Sequence, residues 1–309
     1  MDILKFNPIY KPTLWGSETW VVSAVKGSES VVINGEDRGM TLPEVVQRYG
    51  KEFLGEPVLA HTGTDFPLLI KFIDARQDLS IQVHPGDALS KARHGKMGKN
   101  EMWYVMEADR GSQLIAGFKQ RMDVNDYAHK VADGSIEGDL CKTNVMPGDC
   151  FYIPAGRVHG IGAGMEIAEI QQTSDVTYRI YDYMRKDREG KLRELHTELA
   201  LEAINFDDIT TDPKVHYMEH RNQLTPLVCC PYFVTNEIKI TMPFHREYQE
   251  ESFHIYISLE GCSFIYPDKG RGIFLHKGEA IVVPASVRQL WIMPDEQAKL
   301  LETYVGCQE

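Results

Sequence analysis

The sequence predicts a mainly β fold with added helices, laid out as two related β-barrels. Two observations carry this. From Phe66 onward the chain is a series of short apolar runs broken by Gly, Pro and Asp, the pattern of a sandwich or barrel. One spacing of Gly and Pro also occurs in both halves. Gly148 is followed after five residues by Pro154 and after four more by His159, while Gly278, Pro284 and Gln289 keep the same intervals. Upstream, Glu101 precedes Gly111 by ten positions and Glu251 precedes Gly261 by ten. The second copy has Gln289 where the first has His159, so the second barrel is expected to be degenerate and metal-free.

Taken in order, the first 40 residues are rich in aromatics and turn formers. Thr41-Leu-Pro-Glu44 then reads as a helix start, with Thr41 as N-cap, Glu44 completing a capping box and Pro43 in the first turn. Val45, Val46 and Tyr49 would share its apolar face. The runs PLLIKFIDA, LSIQVH, MWYVMEA and SQLIAGF have strand character, and Asp123 to Ser135 reads as a helical insertion. Two more β-rich stretches follow, CKTNVMPGDCFYIPAGRVHGIG and GMEIAEIQQTSDVTYRIYDY. Arg193 to Phe206 carries Leu195, Leu199 and Ile204 at helical spacing. Asp207 to Pro213 reads as a polar linker, which divides the chain into a domain of residues 1–206, with helical additions at both ends, and a β-barrel domain of 215–309.

The 309 residues are 43% hydrophobic and 25% charged, an ordinary globular composition. No stretch approaches the roughly 18 consecutive apolar residues of a membrane helix, and the first residues lack the marks of a secretory signal. A cytoplasmic protein without a membrane partner is expected. The net charge of −12 disfavours nucleic acid as a partner, although a few local cations suffice for a small phosphorylated ligand. Cys141, Cys150, Cys229, Cys230, Cys262 and Cys307 form no CxxC pair and read as free thiols.

Gln82 and His84 lie two apart in a strand-like run, so they project from one face. Glu101 opens another such run, and His159 follows a Gly-Asp…Ile-Pro turn. One carboxylate, two imidazoles and an amide oxygen suit Zn²⁺, or another borderline divalent ion, better than Mg²⁺ or Cu(I). Any one of them, alone, is more often a hydrogen-bonded structural residue. Of the eleven histidines, His94 is expected in solvent and His196 on a helix. His216, His220, His245, His254 and His276 show no ligand-like spacing.

Gly148-x5-Pro154-x4-His159 matches the second cupin motif. The segments Leu79-Ser-Ile-Gln-Val-His-Pro85, Gly98-Lys-Asn-Glu-Met-Trp-Tyr104, Ile153-Pro-Ala-Gly-Arg-Val-His-Gly160 and Gln171 to Tyr183 resemble, in order and spacing, the type I mannose-6-phosphate isomerases, in particular their short bacterial form. Trp15-Gly16 fits as well, and the C-terminal part fits more weakly. The resemblance implies two cupin-type jelly rolls, one Zn²⁺ per chain on Gln82, His84, Glu101 and His159, and an aldose–ketose isomerase working on a sugar phosphate. It also implies the interconversion of mannose 6-phosphate and fructose 6-phosphate through a cis-enediolate, by a monomer or homodimer. Two departures are Asn100, where longer members often carry Pro, and Arg157, where many short forms carry a small hydroxyl residue and which could alter the pocket rim.

Lys99, two residues before Glu101, and Arg179 and Glu169 are implied as catalytic groups, with Lys71, Lys99 and Arg179 as substrate-binding groups. Arg179 is too basic to serve as a proton-accepting base, so the identity of that base stays open. Lysines and arginines are usually solvated surface charges, and Glu169 reads equally as a partner of a ligand histidine. Pro85 to Asn100, rich in Gly and Lys, is either a lid or a plain solvated loop. A non-catalytic sugar-binding cupin and a cupin oxygenase are the competing readings. The first is disfavoured because Lys99, Arg179 and the ligands are all present, the second because an iron site would more often use three histidines or a facial triad.

Overall fold

In the computed structural model, residues 1–186 and 189–306 are described. The chain forms two compact units. One holds Tyr10–Thr19 and Lys71–Val215, the other Met1–Ile9, Trp20–Ile70 and the chain from His216 onward. A boundary therefore falls at Val215/His216, near the expected linker. Residues 1–206, however, are not one unit, because residues 1–9 and 20–70 group with the C-terminal strands.

The physical reason is backbone bonding and close packing within that second unit. The strand Leu4–Lys5 pairs antiparallel with Ala280–Val283. Phe253 N–H donates to the carbonyl of Leu54 at 3.2 Å, and Ala285 N–H to that of Phe53 at 2.9 Å. Gly55, at φ +92°, sits so close that a Cβ there would stand 2.0 Å from the Glu251 carbonyl oxygen. Phe53, Phe66 and Phe253 share one aromatic cluster, the last two with centroids 4.7 Å apart. The helix Leu42–Tyr49 has the expected capping box. Thr41 N–H donates to Glu44 Oε2 at 2.7 Å, and Glu44 N–H to Thr41 Oγ1 at 3.4 Å. Leu42, Val45 and Val46 are buried, whereas Tyr49 is half-buried and donates its hydroxyl to Asp37.

The unit holding Lys71–Val215 contributes strands to two sheets. One runs in the order Cys150–Ile153, Glu101–Ala108, Met165–Gln172, Leu68–Ala75, Gly16–Val22, Ile9–Pro12. The other runs Leu140–Asn144, Gln113–Phe118, His159–Ile161, Ile81–Val83, Tyr178–Tyr181. Every apolar run singled out in the sequence forms one of these strands. The sheets keep open edges and do not close into barrels, the jelly-roll solution to covering an apolar sheet face. Ile73, Trp103, Val105, Phe151, Ile153, Ile161 and Ile167 are buried in one cluster of this unit, each contributing about 1.5–3 kcal/mol by leaving water.

Three local expectations change. The helix expected over 193–206 is limited to Thr197–Ala203, because the residue before it is bonded to a strand instead: His196 N–H donates to the Arg179 carbonyl at 2.7 Å. The segment from Pro85 to Asn100 is no plain loop but carries a helix, Asp87–His94. Asp87 Oδ1 accepts from the Gly98 N–H at 2.7 Å, and exposed His94 bonds the Tyr178 hydroxyl at 2.7 Å. The 207–213 linker is fastened within its own unit. Asp208 receives both Nε and a terminal nitrogen of Arg157 at 2.7 and 2.8 Å, and Thr210 N–H donates to the Phe118 carbonyl. Val124–Asp133 is helical as expected, capped by Asp123.

The other unit has an eight-stranded sheet dominated by two long strands, His254–Pro267 and Gln289–Tyr304. The internal echo is structural. Gly148 and Gly278 both have positive φ, each is followed by a four-residue strand, Cys150–Ile153 or Ala280–Val283, and the next strand begins at His159 or Gln289. The turn bonds recur too: Arg157 N–H to Pro154 O at 3.1 Å, and Val287 N–H to Pro284 O at 3.0 Å. The Glu101/Glu251 match does not hold. Ile153 pairs with Glu101 and Val283 with His254, so His254 occupies the position of Glu101. By the same register Glu302, opposite Tyr256, answers to Glu169, opposite Trp103.

Cys141, Cys150, Cys229, Cys230 and Cys262 are in no disulfide, while Cys307 lies outside the described residues. No helix among the described residues is long and apolar enough to cross a membrane.

Candidate metal centre and pocket

Strand register assembles the site. Across one sheet, Arg179 pairs with Gln82 and Gln82 with His159. Across the other, Glu101 pairs with Gln171, and Trp103 with Glu169. Directly paired residues share a face, as do i and i+2, so Glu101, Trp103, Glu169 and Gln171 project together. His84, Glu101 and His159, each 1% exposed, bring ligand atoms within 4.8 Å of one another.

The imidazoles are already oriented. His84 Nδ1 donates to the Val176 carbonyl at 3.0 Å and His159 Nδ1 to the Arg157 carbonyl at 2.8 Å. A carbonyl only accepts, so both protons sit on Nδ1 and both Nε2 lone pairs face inward. Burial, then the Lys99 charge, pulls the His84 pKa down to about 3, and burial lowers that of His159. Both rings are neutral, as metal ligands must be. Burial opposes ionisation of Glu101, but Lys99 and the His84 ring outweigh it and hold its carboxyl well below the usual range.

The donor set fits a divalent cation. Glu101 Oε1 is buried without a hydrogen bond and lies 3.4 Å from His159 Nε2, while Oε2 lies 3.5 Å from His84 Nε2. These are lone pairs facing lone pairs, an arrangement that calls for positive charge between them. The Lys99 ammonium supplies it here, 2.6 Å from Glu101 Oε2 and 2.9 Å from His84 Nε2. Gln82 is adjacent, but its amide nitrogen, not its oxygen, faces His159 Nε2 at 3.3 Å. Acting as a ligand would take a half-turn of that amide.

Beside the cluster is a charged floor. Lys71 lies 3.2 Å from Glu169 and 3.4 Å from Glu18, and Lys99 lies 3.5 Å from Glu169. Two ammonium groups thus meet the three carboxylates of Glu18, Glu101 and Glu169, an excess of one negative charge among these five groups. The excess shows in Glu169, whose pKa is raised by burial and then by Glu101. Burial alone would lower that of Lys71, but Glu169 and Glu18 outweigh it and raise it. A cavity of about 450 Å³ opens onto these groups and is lined by Glu18, Lys71, Gln82, Lys99, Trp103, Glu169, Arg179 and Arg193.

Every implied site residue therefore lies at the cluster or on the cavity. Arg157 does not: its guanidinium is committed to Asp208 and to the Tyr152 carbonyl, so it is a strap on the linker rather than part of the pocket rim. Asn100 closes the strand end, donating to Gln172 Oε1 at 2.7 Å and accepting from the Ala155 N–H at 2.9 Å. Sequence reasoning missed Glu18, Trp103 and Arg193. Trp103 was within reach, because it lies two residues from Glu101 on a strand and meets His159 edge-on at 5.4 Å. Glu18 and Arg193 sit in remote segments with no motif around them.

Fold and site together define a jelly-roll protein with a buried His–Glu–His cluster of the kind that centres the metal-binding cupins. Residues 7–118 match the model of the phosphomannose isomerase type I catalytic domain. The mannose-6-phosphate isomerase ManA of Bacillus subtilis is 33% identical over 91% of this chain and 92% of its own length. The chain belongs to the type I mannose-6-phosphate isomerase family. The mannose-6-phosphate isomerase of Streptococcus mutans is 35% identical over 74% of this chain and 71% of its own. The solved structure of the Bacillus subtilis mannose 6-phosphate isomerase superposes with a TM-score of 0.86 at 30% identity, covering 98% of this chain and 99% of that one.

Proposed function

We propose that the protein interconverts mannose 6-phosphate and fructose 6-phosphate with one Zn²⁺ per chain, held by Gln82, His84, Glu101 and His159. The observation that carries this is the convergence of two pre-oriented Nε2 lone pairs on a buried carboxylate at the edge of a cavity of about 450 Å³. The family membership supplies the substrate. The bound ion would act as a Lewis acid for negative charge on the sugar oxygens. It would compete with the Lys99 ammonium for the lone pairs that ammonium now satisfies.

The chain's own groups account for proton movement. Isomerisation through a cis-enediolate takes a proton from C2 of the open-chain sugar and returns one at C1. Glu169 lines the cavity, and its raised pKa suits a group that must both accept and release a proton near neutrality. Lys71 and Lys99 flank it and would donate to the substrate's oxygens. Arg179 stays cationic and would orient the sugar. Trp103 walls the floor beside His159 and excludes water there. The proposal keeps the cytoplasmic setting, and the monomer or homodimer, that the sequence suggests.

A coupled assay for fructose 6-phosphate formed from mannose 6-phosphate, run with and without chelator, tests the reading. Activity lost on chelation and restored by Zn²⁺ is expected. Full activity after verified metal removal would sink the metal assignment, and no product from zinc-replete protein would sink the reaction.

A further inference from the structure

The reaction above leaves the phosphate end of the substrate without a partner, and Arg193 on the cavity without a task. Arg193 precedes the Thr197–Ala203 helix and lines the same cavity as Gln82, Glu169 and Arg179. Main-chain and side-chain bonds tie its segment to Arg179. Arg179 N–H donates to His196 Nδ1 at 3.0 Å, the Arg179 guanidinium donates to the Glu194 carbonyl at 2.8 Å, and His196 N–H returns a bond to the Arg179 carbonyl at 2.7 Å.

Charge around this pair is out of balance. With Arg185 paired to the buried carboxylate of Asp182, the guanidiniums of Arg179 and Arg193 are left near the exposed carboxylate of Glu194, two positive charges against one negative. Arg185 takes Asp182 in an ion pair, leaving Arg193 with long approaches to it of 3.3 and 3.5 Å. Arg179 Nε is buried with no hydrogen bond, and burial, then the nearby Arg193 charge, lowers the Arg179 pKa. A phosphomonoester, near −2 at neutral pH, is drawn to the arginines, where guanidinium forks match its oxygens.

We propose that Arg193, together with Arg179, binds the phosphate of the substrate and so directs the sugar carbons toward Glu169. This rests on the isomerase reading. The test compares the wild type with Arg193→Ala, Arg193→Lys and Arg185→Ala, all zinc-loaded and checked for folding by thermal melting. Arg185 shares Asp182 but does not line the cavity. Arg193→Ala should raise KM for mannose 6-phosphate on the order of 10–100-fold, with kcat nearly unchanged, and weaken competitive inhibition by inorganic phosphate in step. Arg193→Lys, which keeps the charge and loses the fork, should fall between, and Arg185→Ala should leave both constants within about twofold. A KM within about twofold of wild type in Arg193→Ala overturns the proposal. So does an equal rise in Arg185→Ala, which would place the effect in the frame around Asp182. A wild type inactive on mannose 6-phosphate defeats the isomerase reading instead. Calorimetric binding of inorganic phosphate by wild type and Arg193→Ala then still decides whether Arg193 holds an anion, and equal binding by both rules that out.

Discussion

Glu101 joins both imidazoles, with one oxygen toward each. Glu101→Gln keeps its shape and removes its charge, so zinc affinity should fall at least about 100-fold, beyond the loss typical of an outer partner, and isomerase activity with it. Metal content after dialysis, beside an unchanged circular dichroism spectrum, checks this; wild-type zinc in the variant would clear Glu101 of the role. His159→Ala should behave alike. Lys71 is 6% exposed and holds two carboxylates. Lys71→Met should therefore cost about 3–5 kcal/mol in denaturant unfolding, as stranded buried charges do, and an unchanged midpoint would mean that Glu169 simply takes up a proton. At this scale the sequence was legible wherever strand alternation or a motif marked a residue, as for Gln82, His84, Glu101 and His159. It was silent on Glu18 and Arg193, whose importance comes from partners more than 50 and about 14 residues away, Lys71 and Arg179.

Elements with their own punctuation could be read in advance. Thr41 and Asp123 cap the helices they were expected to cap. Thr41→Ala should lower stability by about 1 kcal/mol, measured by urea unfolding, with Glu44→Ala incurring part of the same loss because the two bonds are reciprocal. The helix Asp87–His94 carried signals that went unread: an acidic first turn, a basic last turn at Lys91, Arg93 and His94, and Gly95 in the left-handed region after it. The helix over 193–206 was read too long because Leu195, Leu199 and Ile204 repeat at helical spacing. Spacing cannot show that residues 193–196 are already bonded to the strand holding Arg179.

At the scale of the whole molecule, the echo between halves was correct in its turns and wrong by three residues at Glu251, since the spacing of single residues does not show which ones pair across strands. The displaced register places His254, Tyr256 and Glu302 in a buried polar network. Glu302 accepts from Arg246 Nε at 2.9 Å and from the Tyr256 hydroxyl at 2.7 Å, and His254 Nδ1 approaches at 3.4 Å without hydrogen-bond geometry. Burial would raise the Glu302 pKa, but the approach of His254 and the Arg246 charge outweigh it and hold it down to about 2. Because the folded value lies below the unfolded one near 4.5, the unfolded chain binds more protons between them, and this contribution is lost as pH falls from about 4.5 toward 2. Glu302→Gln should be less stable at pH 7 and lose less on acidification; parallel melting curves for both proteins over that range would refute it. The alternation of chain segments between the two units has a consequence for inheritance. The chain passes from one unit to the other four times, at residues 9/10, 19/20, 70/71 and 215/216. A single crossover between two related genes therefore cannot exchange one whole unit: recombination at any one point splits the strands of a sheet between parents. Such a molecule diversifies by substitution in place, and its two halves travel together.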